Sequence, residues 1–191
     1  MRLESTVATL LISLNKPFEC IRPTLIRPPI ILFSGTQNLQ DLFIDDLNIR
    51  PIFWPKGTGE GGFVHGGFAL RTERLIEEMD EFINTYDNYV LGGHSLGGTC
   101  AILSASHLQK LNKTIENVFV FGTPNLATNK FKQFYQKQEL FDKTISFVTP
   151  KDPVVMKIPK LYKSVGEKKL LFYDSDNIWS HHDMETYSRL I

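Results

Sequence analysis

Ser95 lies among four glycines, Gly92, Gly93, Gly97 and Gly98, directly after the apolar run Tyr89 to Leu91. Gly93-His94-Ser95-Leu96-Gly97 fits G-x-S-x-G, the pattern in which a serine is carried on a tight turn between a strand and a helix. Small residues two before and two after are needed because that turn presses the helix against the strand. Glycine and serine each make up about 7% of residues, so a chain of this length shows the pattern by chance about once in fifteen. Its surroundings therefore decide whether Ser95 is a nucleophile or part of an ordinary turn.

A serine hydroxyl is a weak nucleophile without a base, normally a histidine held by a carboxylate. On a strand-to-helix corner the partners follow in the order serine, acid, histidine. Only His107, His181 and His182 follow Ser95. His107 falls on the same expected helix, about 18 Å away at 1.5 Å per residue, and is out of reach. The acid belongs near the carboxyl end of a strand, where open α/β sheets gather their ligands. Asp152 follows the apolar run Ile145 to Val148 by a short loop, and Asp174 follows Leu170 to Tyr173 directly. The residues alone leave Asp152 and Asp174 both open, as they do His181 and His182. Ser180 and Asp183 are spaced as a capping box, so His181-His182 also reads as the start of a last short helix. The two readings are compatible, because a helix amino end disfavours the charged imidazole and favours a neutral base. His181, His182 and Asp183 make a poor zinc site, since neighbouring residues point in different directions and no further cluster supports them. Neither a metal nor an organic cofactor is expected.

The elements that must position these groups are legible as alternating patterns. Continuous apolar runs at Ile30 to Phe33, Tyr89 to Leu91, Val118 to Phe121, Ile145 to Val148 and Leu170 to Tyr173 suit strands buried on both faces. Between them Leu75, Met79, Phe82 and Tyr86 recur at helical steps, as do Leu96, Cys100, Leu103 and Leu111, then Phe131, Phe134 and Tyr135. Strand alternating with helix predicts an α/β domain with a largely parallel sheet, and Ser95 falls at a strand-to-helix corner. Pro51 to Gly67, rich in glycine and proline, reads as an irregular excursion. Gly57-x-Gly59 within it is not a phosphate loop, because no helix opens after it and the lysine is on the wrong side.

Composition narrows the class further. The 191 residues are expected to form one domain, 1–191, with 42% hydrophobic and 22% charged residues. The balance of 21 basic against 21 acidic residues argues against a nucleic-acid surface. Val7 to Leu14 is too short to span a bilayer, and no small-x-small cleavage site follows it, so it reads as an N-terminal helix packed on the domain. Cys20 and Cys100 are read as free thiols, which together with the lack of a clear signal-peptide pattern leads us to expect a cytoplasmic or intracellular protein.

Taken in order, Phe33-Ser34-Gly35-Thr36, Asp41 and Asp45, Val64-His65-Gly66-Gly67-Phe68 and Gly93-His94-Ser95-Leu96-Gly97-Gly98 resemble the class 3 lipases, the fungal-type triacylglycerol lipases and their plant relatives. The resemblance continues through Phe121-Gly122-Thr123-Pro124, Lys151-Asp152-Pro153-Val154, Ile158-Pro159, Val165-Gly166 and His182-Asp183-Met184-Glu185-Thr186-Tyr187, and so covers residues 31 to 187. It implies an α/β-hydrolase fold, a mostly parallel central sheet flanked by helices in one compact domain. It implies Ser95 as nucleophile, Asp152 as acid and His182 as base, with an oxyanion hole at Thr36 and the N–H of Leu96. The chemistry agrees for Leu96, because the first N–H groups of a helix are unpaired and point at developing negative charge.

The implied substrate is an acyl lipid or other carboxylic ester, cleaved through an acyl-enzyme with transient contact at a lipid interface. A lid would follow Thr36, from Gln37 to Ile52. There Leu39, Leu42, Phe43, Ile44 and Leu47 form an apolar stripe that reads equally as a movable cover or as core packing. The chain departs from the family pattern at Ser34, Leu42, Ala127 and Ser164, where the family carries arginine, tryptophan, glycine and histidine. These departures bear on substrate range and leave the three triad positions intact. Phospholipase, acyltransferase or peptidase chemistry is open to the same machinery. The rival of another class is a silent binding module for a small apolar ligand, which has no need of all three groups.

Overall fold

A computed structural model describes residues 2–25, 27–35, 50–57, 59–156 and 161–191. In chain order the elements are α1 (Leu3–Ile12), β1 (Phe18–Ile21), β2 (Ile30–Phe33), β3 (Pro51–Trp54), β4 (Gly62–His65), α2 (Gly66–Glu78), α3 (Asp80–Thr85), β5 (Asn88–His94) and α4 (Leu96–Lys110). There follow β6 (Thr114–Phe121), α5 (Asn129–Lys137), β7 (Thr144–Val148), the short α6 (Pro153–Met156), β8 (Glu167–Leu170), a 3-10 turn at Ile178–His181 and α7 (Met184–Leu190). No described helix is long and apolar enough to cross a membrane.

The main sheet has the order β1-β2-β5-β6-β7-β8. Only β1 runs antiparallel, pairing Phe18 with Phe33 and Ile21 with Ile30, and the other pairings are parallel. Side chains alternate between the faces of a strand, and the buried residues divide accordingly. Ile31, Phe33, Leu91, Val118 and Val120 join a core with α2, α4 and α5. Ile30, Leu32, Val90, Phe119 and Phe121 join a second core with Val7, Ala8 and Leu11 of α1 and Tyr187 of α7. Burying each large side chain in these cores contributes about 1.5–3 kcal/mol. The sheet is therefore clamped between helices on both sides, and the carboxyl ends of β2, β5, β6 and β7 open on one edge.

The structure corrects several expectations. Pro51 to Gly67 is not wholly irregular: β3 and β4 form a hairpin that pairs Pro51 with His65 and Trp54 with Gly62. The helix expected from Leu75 to Tyr86 is two, α2 and α3, broken at Met79 although that side chain stays in the core. The last strand is Glu167–Leu170 rather than Leu170 to Tyr173, and it is exposed along its length as an edge strand. The capping box does not form. Ser180 Oγ donates to the Asn177 carbonyl at 2.6 Å, Asn177 Oδ1 accepts from Trp179 N–H, and α7 opens later, at Met184.

Candidate active site

β5 ends at His94 and α4 begins at Leu96, which leaves Ser95 as the whole corner. Its backbone has φ 55° and ψ −125°, a region that residues with side chains rarely adopt and that surrounding contacts must hold. Ser95 N–H donates to the Phe121 carbonyl at 2.9 Å, and Gly98 N–H donates to the Ser95 carbonyl at 3.0 Å. Crowding explains the glycines: a Cβ on Gly93 would run into the Gly97 carbonyl, and one on Gly97 into the Phe33 carbonyl. The Ser95 hydroxyl does not cap α4. It is buried and has no hydrogen-bond partner among the described residues.

Asp152 follows β7 and is fully buried. Its Oδ1 accepts from the N–H groups of Val154 at 2.9 Å and Val155 at 3.3 Å, both at the start of α6. Its Oδ2 accepts from the Tyr187 hydroxyl at 2.7 Å. His182 Nδ1 lies 2.9 Å from Oδ1 and 2.8 Å from Oδ2. Every neighbour of the carboxylate is thus a donor, which matches its acceptor-only inventory. The bond assigns the proton to Nδ1 and leaves His182 Nε2 with its lone pair. That nitrogen too is buried without a partner among the described residues. The ring packs on His94 at 4.7 Å between centroids, and His94 Nε2–H donates to the His182 carbonyl at 2.7 Å.

The alternatives lie elsewhere. Asp174 is fully exposed and paired with Lys151 at 3.4 Å. His181 is buried, donates from Nε2 to the Ser175 carbonyl at 3.2 Å and meets the Tyr173 ring edge-on. His107 lies on α4 near Trp54. Thr36, Leu39, Leu42 and Phe43 lie outside the described residues. Leu96 opens α4 behind Ser95, in the first turn whose N–H groups lack intrahelical acceptors.

Four residues close to these groups were not singled out by spacing. Tyr187, 35 residues beyond Asp152, fixes the carboxylate. Thr149 ties the histidine segment to the end of β7, donating from Oγ1 to the His181 carbonyl at 2.7 Å and from N–H to the Tyr187 oxygen at 3.2 Å. Gly122 has φ 55°, and a Cβ there would stand 2.7 Å from Asp152 Oδ2 and 3.0 Å from His182 Nδ1. His94 is held neutral: burial first, then the neighbouring His182, lowers its pKa to about 4. Tyr187, Gly122 and His94 carried a signal, as members of the blocks around His182, Phe121 and Ser95, whereas Thr149 carried none.

Residues 30–162 match the model of the family described as Lipase (class 3). The chain is 29% identical over 153 residues to a chloroplastic/mitochondrial phospholipase A1 of Oryza sativa subsp. indica, covering 66% of this chain and 34% of that protein. It is 29% identical over 115 residues to a lipase of Rhizomucor miehei, covering 54% and 31%. The chain thus spans about a third of the length of these two curated relatives. The crystal structure of a lipase from Rhizopus microsporus var. chinensis aligns with a TM-score of 0.63 at 19% identity, over 81% of this chain and 61% of that one. With a parallel sheet clamped between helices, a serine corner after β5 and a family match over more than half of its residues, the chain belongs to the class 3 lipase family and has the α/β-hydrolase fold.

Proposed function

We propose that the chain is a serine hydrolase that cleaves carboxylic esters of acyl lipids through an acyl-enzyme. One observation carries the reading: Ser95 Oγ and His182 Nε2 are a buried donor and a buried acceptor, and each lacks a partner among the described residues. Buried polar atoms are normally paired, and catalytic hydrogen bonds often close only with substrate bound. In this reading His182 Nε2 takes the Ser95 proton as Oγ attacks the ester carbonyl. The Asp152 carboxylate holds the ring in the required tautomer and stabilises the imidazolium. The N–H groups of Leu96 and Thr36 receive the oxyanion, and each such donor is worth about 10²–10³ in rate. His182 then returns the proton to the leaving alcohol, and water repeats the cycle to release the acid.

Membership of the class 3 lipases supports an acyl-lipid substrate, as do the lipase and the phospholipase A1 among the relatives. By resemblance Leu39, Leu42 and Phe43, outside the described residues, fall where the family carries a lid, and their apolar stripe reads equally as core packing. A silent binding module is disfavoured, since it gives no purpose to an oriented Asp152–His182 pair or to a buried serine hydroxyl without a partner among the described residues.

The test is covalent. An active-site-directed fluorophosphonate should label Ser95, and Ser95→Ala should lose both the label and ester turnover. Undiminished turnover in that variant would overturn the assignment.

A further inference from the structure

The carboxyl ends of β2 and β5 border a cleft of about 440 Å³ whose walls include Leu11, Leu14, Lys16, Gly35, Arg71 and His94. It lies one residue from the nucleophile. A Cβ placed on Gly35 would stand 3.1 Å from Ser95 Cβ and 3.4 Å from His94 Nδ1, so Gly35 is a wall common to the cleft and the serine corner. Lys16 follows α1 on one face of the sheet, and Arg71 belongs to α2 on the other.

The charge of the cleft is one-sided. None of its described lining residues is acidic. Arg71 Nε is buried without a hydrogen-bond acceptor, and Arg71 forms no ion pair among the described residues. Its guanidinium hydrogen-bonds the Cys100 thiol, whose pKa burial raises, so that this partner is neutral and supplies no counter-charge. Lys16 pairs with Glu19 at 3.4 Å, but both side chains are about half exposed, and such a pair is worth little and is easily exchanged. A partly buried guanidinium with an unused N–H and no counter-charge among the described residues is suited to an anion that completes it. Its planar fork suits a carboxylate or a phosphate.

The position of the cleft separates these two anions. A fatty-acid product carries its charge on the carbon that Ser95 releases, so that carboxylate sits at the oxyanion position and not behind Gly35. A triacylglycerol carries no charge and leaves Arg71 uncompensated. An anion displaced from the scissile ester by a glycerol unit is the phosphate of a glycerophospholipid. We propose that this cleft is a head-group subsite in which Arg71 and Lys16 hold the phosphate of a glycerophospholipid, while Leu11 and Leu14 pack on its glycerol and the adjacent acyl ester lies at Ser95. This assignment rests on the ester-hydrolase reading and names its substrate class.

Two measurements separate the site from the reaction. In the first, Ser95→Ala is melted with glycerol 3-phosphate, with inorganic phosphate, and with sodium chloride at matched ionic strength. A ligand that binds only the folded state raises Tm. Glycerol 3-phosphate should raise it above the salt control, and adding Arg71→Gln should remove the rise. In the second, wild type hydrolyses monomeric dihexanoyl phosphatidylglycerol and dihexanoylglycerol. Arg71→Gln should lower the ratio of their kcat/KM values about tenfold, chiefly through KM, because a hydrogen bond to a charged group is worth about that factor. Arg71→Lys should restore part of it. Lys16→Gln, on an exposed side chain that the fold does not need, should lower the same ratio by about threefold and keeps the test open if Arg71→Gln fails to fold.

No shift of Tm with glycerol 3-phosphate overturns the subsite, and so does an equal loss on the charged and neutral esters. Equal protection by inorganic phosphate, with no dependence of the ratio on Arg71, makes the cleft a free-phosphate site and also overturns the assignment. Protection that depends on Arg71 in a protein that hydrolyses no ester upholds the site and refutes the reaction.

Discussion

The Tyr187 hydroxyl donates to Asp152 Oδ2 at 2.7 Å, on the same oxygen that faces His182 Nδ1 at 2.8 Å. Burial and the Asp152 charge push the phenol pKa up, so Tyr187 stays a donor across the working pH range. The carboxylate is thereby held from the helix α7 side as well as by the Val154 and Val155 N–H groups of α6. Tyr187→Phe leaves the packing and removes only this bond. A hydrogen bond to a charged group is worth about 1.5–3 kcal/mol, so kcat/KM should fall by about tenfold or more, with a smaller loss of Tm. Unchanged kinetics with lowered Tm would reduce Tyr187 to a structural residue.

The two carboxylates that follow strands in the second half of the chain should differ sharply. Asp152→Asn leaves the geometry but favours the wrong histidine tautomer, which costs about 10⁴ in rate in the serine protease triad. Asp174 is exposed and held only by Lys151, so Asp174→Asn should change activity by less than about twofold. His182→Ala should likewise abolish turnover, whereas His181→Ala should mainly destabilise, through loss of the partly buried bond to Ser175. Steady-state kinetics on one soluble ester compares all four variants, and the reverse order in either pair would move the proposed triad.

The buried strands were legible because strands covered on both faces read as unbroken apolar runs, as at Ile30 to Phe33 and Val118 to Phe121. The edges were not. β8 reads Glu-Lys-Lys-Leu, exposed at every position, and the apolar Leu170 to Tyr173 that suggested a strand mostly follows it. The break at Met79 was hidden because the apolar period runs through it into α3. Ser180 was misread because Asn177, three residues earlier, competes for its hydroxyl. At the site, spacing exposed Ser95, but nothing local separates Asp152 from Asp174. That distinction comes from contacts with His182 and Tyr187, 30 and 35 residues away in sequence.

The His94 ring makes acid sensitivity a property of the site. Its folded pKa is about 4 against 6.5 in the unfolded chain. Between these values the unfolded state binds more protons, so stability rises with pH there, is fully present above about 6.5, and is lost as pH falls toward 4. The span corresponds to roughly 3 kcal/mol at most. His107, lowered by burial, adds a slope of the same sign. The diagnostic is therefore the difference between wild type and His94→Gln in urea unfolding from pH 4.5 to 7.5. The variant should show a flatter dependence, and parallel curves would assign the slope to other groups.

Gly122 and Gly166 both have positive φ, 55° and 89°, but they lie at opposite ends of the strands they adjoin. Gly122 follows β6 at the carboxyl edge, where a Cβ would stand 2.7 Å from Asp152 Oδ2. Gly166 precedes β8 at the other edge, where a Cβ would meet Thr144. An alanine at either position has to adopt a left-handed backbone at about 1 kcal/mol, plus the local clash. Gly122→Ala and Gly166→Ala should therefore lower the urea midpoint by comparable amounts. Their activities should part company, because a displacement of about 1 Å in catalytic groups costs about 10²-fold. Gly122→Ala pushes on the Asp152–His182 pair and should lose about that factor in kcat, whereas Gly166→Ala should retain nearly full turnover below its unfolding range. Equal kinetic losses in the two variants would mean that stability alone governs activity, and that the close fit of Gly122 against the pair has no catalytic consequence.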